Sequence, residues 1–138
     1  LMNVKYKMVR YFTWSEFDKN VMHISNKCKF RKFSGIYGIP RGGLCLAVAL
    51  SHRLNIKLIS KPIKNCLIVD DIFDTGLTLN TLKNIEGAMF FVLFSKREPT
   101  WFNTVNLSQQ KEWVVFPWEN NHNYLIDQKQ YIDKRKLN

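Results

Sequence analysis

Two hydrophobic rhythms alternate along the chain. Thr13-Trp-Ser-Glu16 has the spacing of a capping box, and Phe17, Val21, Ile24 and Cys28 then recur on one helical face, which predicts an amphipathic first helix. Gly35 to Ile39 reads as a short strand, and Leu44 to Leu54 as an apolar helix behind it. Ile56 to Ile59 reads as a further strand. Cys66 to Val69 and Phe90 to Lys96 are near-continuous apolar runs, as expected of strands buried on both faces of a parallel sheet. A helix is expected to begin near Thr78. Helix after strand in repeated order predicts an α/β fold, a mainly parallel sheet flanked by helices with right-handed crossovers.

The chain has no internal repeat, linker or low-complexity segment, and its 138 residues, 46% of them hydrophobic, suit one sizeable core. A single domain over residues 1–138 is the expectation, with 120–138 a peripheral C-terminal segment or tail, since the sequence turns polar and charged after Glu119. Leu44 to Leu50 is too short to span a bilayer, and the amino terminus lacks a continuous apolar core, so a soluble cytoplasmic protein is expected. Cys28, Cys45 and Cys66 are odd in number, lack metal-ligand spacing and sit in apolar patterns, which reads as reduced core thiols. His23, His52 and His122 likewise lack ligand spacing.

The candidate chemistry begins where the Cys66 to Val69 strand ends. Asp70 and Asp71 are adjacent like charges at a strand's carboxyl end, where open α/β sheets bind ligands. Such a pair calls for a cation or several hydroxyl donors, and a ribose diol with Mg²⁺ fits both needs. Asp74 then opens Asp74-Thr75-Gly76-Leu77-Thr78, whose amides and hydroxyls suit a phosphate. Upstream, Pro40-Arg41-Gly42-Gly43 combines a bidentate phosphate donor with two glycines that let the backbone approach a ligand.

The segment Ile68-Val-Asp-Asp-Ile-Phe-Asp-Thr-Gly-Leu-Thr78 closely resembles the signature of the type I phosphoribosyltransferases, which use 5-phosphoribosyl-1-pyrophosphate (PRPP). Gly35-Ile-Tyr-Gly-Ile-Pro-Arg-Gly-Gly43 is similar to that family's pyrophosphate loop and stands in the family's order along the chain. Phe90-Phe-Val-Leu-Phe-Ser-Lys96 followed by Trp113-Val-Val-Phe-Pro-Trp-Glu119 resembles the bacterial xanthine-guanine and hypoxanthine phosphoribosyltransferases. The resemblance, spread over most of Phe12 to Glu119, implies the family's Rossmann-like fold and a purine-salvage transferase making a nucleoside 5′-monophosphate and pyrophosphate from PRPP and a 6-oxopurine.

Residue by residue, it implies Asp70 and Asp71 on the ribose hydroxyls and, directly or through water, on Mg²⁺. Asp74, Thr75, Gly76, Leu77 and Thr78 would hold the 5′-phosphate, with Asp74 also the catalytic proton acceptor. Pro40, Arg41, Gly42 and Gly43 would hold the pyrophosphate. Lys96 would donate to the purine 6-oxo group, Trp113 would stack on the ring, and the backbone near Val114 would read its edge. Homodimers or homotetramers are common among such relatives.

One departure stands out. Catalytic members carry a long flexible loop ahead of the PRPP strand that closes over the substrate, whereas here Leu54 and Cys66 are separated only by Asn-Ile-Lys-Leu-Ile-Ser-Lys-Pro-Ile-Lys-Asn. With Ile56 to Ile59 in a strand, Ser60 to Asn65 is too short to be a lid. Another segment covers the site, a partner does, or the protein is a non-catalytic PRPP- or nucleotide-binding or regulatory member of the fold. The formal charge of +10, concentrated in Lys5 to Arg10, Lys27 to Lys32 and Lys129 to Lys136 with interleaved aromatics, leaves a basic nucleic-acid-binding protein as a third reading.

Overall fold

The computed structural model describes residues 8–119 and 124–136. His122 and the lysines at 5 and 7 lie outside the described residues. The elements in chain order are β1 (Met8–Tyr11), α1 (Trp14–Cys28), β2 (Ile36–Gly38), α2 (Leu44–Leu54), β3 (Leu67–Phe73), α3 (Leu77–Asn80), β4 (Met89–Ser95), β5 (Asn103–Leu107), β6 (Glu112–Val115) and α4 (Tyr124–Lys136). Two compact units divide them: Asp18–Ser108 forms one, and the residues before and after it form the other.

The capping box forms as its spacing predicts. The Glu16 amide donates to Thr13 Oγ1 at 3.1 Å, and the Thr13 amide donates to Glu16 Oε1 at 3.2 Å. Phe17, Val21, Ile24 and Cys28 are all buried, so the apolar stripe of α1 is a core face.

The larger unit is built on a parallel four-stranded sheet in the order β2-β3-β4-β5. Its two central strands are the apolar runs, and every residue from Cys66 to Val69 and from Phe90 to Phe94 is buried. Ile39, Ile68, Phe73, Leu79, Phe90, Val92 and Phe102 share one core cluster, in which Phe73 and Phe102 stack at 4.1 Å. On α2, which packs against β2 and β3, Leu46, Ala47 and Leu50 are buried. Asn55 ends that helix in the left-handed conformation.

Two strand expectations need correction. Ile56 to Ile59 is not a strand: Leu58 makes one parallel bridge to Ile36 and the pairing goes no further. The strand expected over Gly35 to Ile39 is only Ile36–Gly38. The helix expected to begin near Thr78 begins at Leu77 and lasts a single turn; beyond Asn80 the chain continues in tight turns, with the Leu82 amide donating to the Leu79 carbonyl and Thr81 Oγ1 to the Thr78 carbonyl.

In the smaller unit β1 pairs in parallel with β6, Met8 opposite Glu112 through Tyr11 opposite Val115. Aromatic side chains fill it: Phe116 stacks on Trp118 at 4.9 Å, and Phe17 meets Trp118 edge-on at 5.5 Å. The polar C-terminal stretch expected to be a helix or a tail is helix α4. No described helix is long and apolar enough to cross a membrane.

Candidate active site

Because the strands of the larger unit run parallel, β2, β3 and β4 all end on one edge, and the chemistry predicted from sequence collects there. Strand β2 leads into Ile39 and the loop Pro40–Gly43; strand β3 runs on past its expected end at Val69, carries Asp70 and Asp71 itself and leads into Asp74–Thr78; and strand β4 leads into Lys96.

The loop is drawn tightly onto β3. The Ile39 amide donates to the Val69 carbonyl at 2.9 Å, and the Gly43 amide donates back to the Ile39 carbonyl at 2.8 Å. A Cβ on Gly43 would lie 2.5 Å from the Val69 oxygen and 2.8 Å from the Ile39 nitrogen, so only glycine allows this closure. At Gly42 the neighbour is the Asp71 carboxylate, which a Cβ would overlap. A cis peptide joins Pro40 to Arg41, and Arg41 is exposed at the rim.

The two carboxylates are held by main chain. Asp70 Oδ1 accepts the Asp71 amide at 2.8 Å, and Asp71 Oδ1 accepts the Ile72 amide at 2.8 Å. Asp70 is 8% exposed. Burial pushes the Asp71 carboxyl above the usual carboxylate range, against the opposing pull of its hydrogen bonds with Asp70 and the Ile72 amide. The pair is thus a desolvated, hard-oxygen donor set that gains by taking up a cation. Among the described residues no three His, Cys, Asp or Glu side chains cluster to hold a metal by themselves. Two carboxylates fit Mg²⁺, which takes one or two from the protein and completes its octahedron with water and substrate phosphate oxygens.

Beyond the pair, Asp74 is 7% exposed, and Gly76 sits at φ +80°, a conformation that favours glycine. The Asn80 amide donates to the Gly76 carbonyl at 2.9 Å, closing the single turn of α3. Lys96, 9% exposed, is anchored by its amide on the Phe73 carbonyl at 2.9 Å.

Sequence reasoning overlooked Arg97, the residue after Lys96. Its Nε donates to the Asp74 carbonyl at 2.7 Å, clamping the first residue of the phosphate-type loop. Ser95 secures Arg97 in turn, since its Oγ donates to the Arg97 carbonyl at 2.6 Å and accepts the Arg97 amide at 3.1 Å. Nothing but adjacency to Lys96 flags this in the sequence.

The remaining predicted residues belong to the smaller unit. Trp113 lies on β6 with its ring edge-to-face against Tyr131 of α4 at 5.7 Å. Val114 is buried beside it, opposite Arg10 of β1. Of the thiols, Cys28 and Cys66 are buried, and Cys28 is pushed up to about 11 by burial, as suits an inert core thiol.

A parallel sheet with a glycine loop closed against an aspartate pair at its carboxyl edge is the architecture of the type I phosphoribosyltransferases, and the chain has that fold. No family model matches the sequence. Its similarity within the class runs to the xanthine-guanine phosphoribosyltransferases: it is 27% identical to the curated enzyme of that name from Chromohalobacter salexigens, over 84% of this chain and 89% of the relative. Among solved structures it resembles the purine phosphoribosyltransferase from Pyrococcus horikoshii, at TM-score 0.70 and 28% identity, covering 83% of this chain and 95% of that one. It also shares its fold with the Helicobacter pylori xanthine-guanine-hypoxanthine phosphoribosyltransferase, at TM-score 0.64 and 19% identity, covering 86% and 99%.

Proposed function

We infer that the protein transfers the 5-phosphoribosyl group of PRPP to a 6-oxopurine, releasing pyrophosphate and a nucleoside 5′-monophosphate. The observation that carries this reading is the contact of Gly42 with the Asp71 carboxylate, which joins a pyrophosphate loop and a ribose site into one cradle. In the reaction a purine nitrogen bonds to C1 of the ribose as the bond from C1 to the pyrophosphate oxygen breaks, and the purine gives up a proton. Charge grows on the leaving pyrophosphate, which the Gly42 amide and the Arg41 guanidinium stabilise, while Gly43, its amide committed to the Ile39 carbonyl, lets the loop close around it. Asp70 and Asp71 hold the ribose hydroxyls, Thr75 to Thr78 hold the 5′-phosphate, and Asp74 accepts the purine proton. Asp70 and Asp71 would also hold Mg²⁺, which when bound would supply Lewis-acid neutralisation of the pyrophosphate. Lys96 donates to the 6-oxo group, with Trp113 and the backbone near Val114 as the ring and edge contacts. In this reading the protein works in the cytoplasm, and the exposed Leu44 and Val48 on α2 suit a homodimer.

One feature favours a second reading, a PRPP- or nucleotide-binding protein with little turnover. The connection from α2 to β3 is tied down at the amino end of the sheet: Ser34 Oγ donates to the Lys64 carbonyl at 2.7 Å, the Ser34 amide to the Asn65 carbonyl at 3.1 Å, and the Asn65 amide to the Glu86 carbonyl at 2.9 Å. So tethered, it cannot close over the carboxyl edge and exclude water. Calorimetric titration of Mg-PRPP and turnover with guanine, xanthine, hypoxanthine or adenine, measured on the same preparation, separate the two. Binding with turnover supports the transferase, and binding without product supports the second reading.

A further inference from the structure

Much of the basic charge behind the net +10 lies away from the substrate edge. Segments 27–34, 55–65 and 81–87 meet at the opposite edge of the larger unit, where β2, β3 and β4 begin. The Arg31 guanidinium donates to the Gly87 carbonyl at 2.6 Å, the Ile36 amide donates to the Lys57 carbonyl at 2.9 Å, and Lys64 pairs with Glu86 at 3.4 Å. The three segments carry eight lysines and arginines, all exposed, against the single carboxylate of Glu86. Asp70 and Asp71 are the fourth and fifth residues of β3, so about 10 to 13 Å of strand, at roughly 3.3 Å per residue, separates its first residue from the aspartate pair, and the basic segments lie on the far side of that start.

The edge also carries Phe30, 91% exposed, with Lys29 Nζ 5.1 Å from its ring centroid and Arg31 and Lys32 following. An aromatic ring left open to water contributes nothing to the core. Flanked by cations it offers what an unpaired strand needs: a stacking face beside phosphate donors. A lipid surface would instead favour a broad apolar face, whereas on this edge only the Phe30 ring is fully open, among cations, and Leu58 and Ile63 are each less than half exposed.

We propose that this amino-terminal edge of the sheet is a second site, binding single-stranded nucleic acid with Lys29, Arg31, Lys32, Lys61 and Lys64 on phosphates and Phe30 stacked on a base. It stands independently of the transferase reading, because none of these residues belongs to the PRPP site.

The test uses the full chain and a 5′-fluorescein uridine 12-mer, with binding read by anisotropy across a salt series. The expected dissociation constant rises steeply with salt. The slope should fall by about 2 in the Lys29→Glu, Lys32→Glu, Lys64→Glu variant, at about 0.7 per phosphate contact on a single strand. Phe30→Ala should weaken binding about tenfold, Phe30→Trp should restore it, and Asp70→Ala/Asp71→Ala should leave it intact. The exposed positions of the Lys29, Phe30, Lys32 and Lys64 substitutions make unchanged thermal melting a direct control for their folding. Salt-independent binding, binding lost with the aspartate pair, or equal affinity for a duplex of the same length would each overturn the proposal. So would retention by anionic vesicles, dependent on Phe30, with no oligonucleotide bound.

Discussion

Replacing Gly42 with alanine separates the chemistry of the site from the integrity of the fold. The added carbon would overlap Asp71 Oδ2 and lie 2.6 Å from its Cγ and 2.9 Å from its Oδ1. Ordinary carbon contacts fall at about 3.5 to 4.0 Å, so the carboxylate has to retreat by about 1 Å. Asp71 can do so by rotating its side chain at about 0.5 to 1.5 kcal/mol, which leaves the sheet in place. Mg²⁺ coordination is far less forgiving, and a 1 Å displacement of a positioning group costs about 100-fold in rate. The expected loss in kcat/KM for PRPP is therefore about 100-fold, or about 2.7 kcal/mol, with Tm lowered by only about 3 °C. Gly43→Ala is the contrasting case. Its new carbon meets Val69 O at 2.5 Å, Ile39 N at 2.8 Å and Ile39 O at 2.9 Å, all main chain, so overpacking should cost about 1 to 3 kcal/mol of stability. Initial rates at varied PRPP with saturating Mg²⁺ and purine, beside scanning calorimetry, read both quantities. The reasoning fails if Gly42→Ala keeps kcat/KM within about threefold of the parent, or if its melting falls as far as that of Gly43→Ala.

Other expectations follow from the same geometry. Asp74→Asn should lower kcat by more than it changes the affinity for PRPP, and equal losses in both would remove Asp74 from the role of base. Arg97→Ala should free the Asp74 carbonyl and raise the KM for PRPP about tenfold with kcat little changed, while Arg97→Lys, which lacks the Nε donor, should not restore it; steady-state kinetics decide. Burial holds the Asp71 pKa above its unfolded value, so the folded protein binds more protons than the unfolded one between the two values, and ionising Asp71 destabilises the fold at neutral pH. Asp71→Asn should therefore raise Tm at pH 7, by a margin that shrinks as pH falls through the raised pKa, and a margin that grows on acidification would refute this origin.

What the sequence revealed and what it hid follow physical lines. The strands from Cys66 and Phe90 and the α1 stripe were legible because complete burial demands continuous or helically spaced apolar residues. Strand β5 was not, since Asn103-Thr-Val-Asn-Leu107 satisfies itself differently: Asn103 Nδ2 donates to the Phe90 carbonyl at 3.1 Å and Asn106 Nδ2 to the Leu93 carbonyl at 2.8 Å, so polar side chains bind an edge strand to β4. Strand β1 is short, largely exposed and paired with a segment about a hundred residues later, so its evidence lies in its partner. At the site, the Asp70–Thr78 run and the Pro40–Gly43 loop were readable because their chemistry is local. The Arg97 clamp was not, because its partner is a backbone carbonyl that any residue at position 74 would present.

Phosphoribosyl transfer is tested by following nucleotide and pyrophosphate together from PRPP, Mg²⁺ and a 6-oxopurine, with Asp70→Ala/Asp71→Ala in parallel. The two products are expected in equal amounts from at least one of guanine, xanthine and hypoxanthine, and neither from the double variant. No nucleotide from any base, or product undiminished without the aspartate pair, would contradict that transfer.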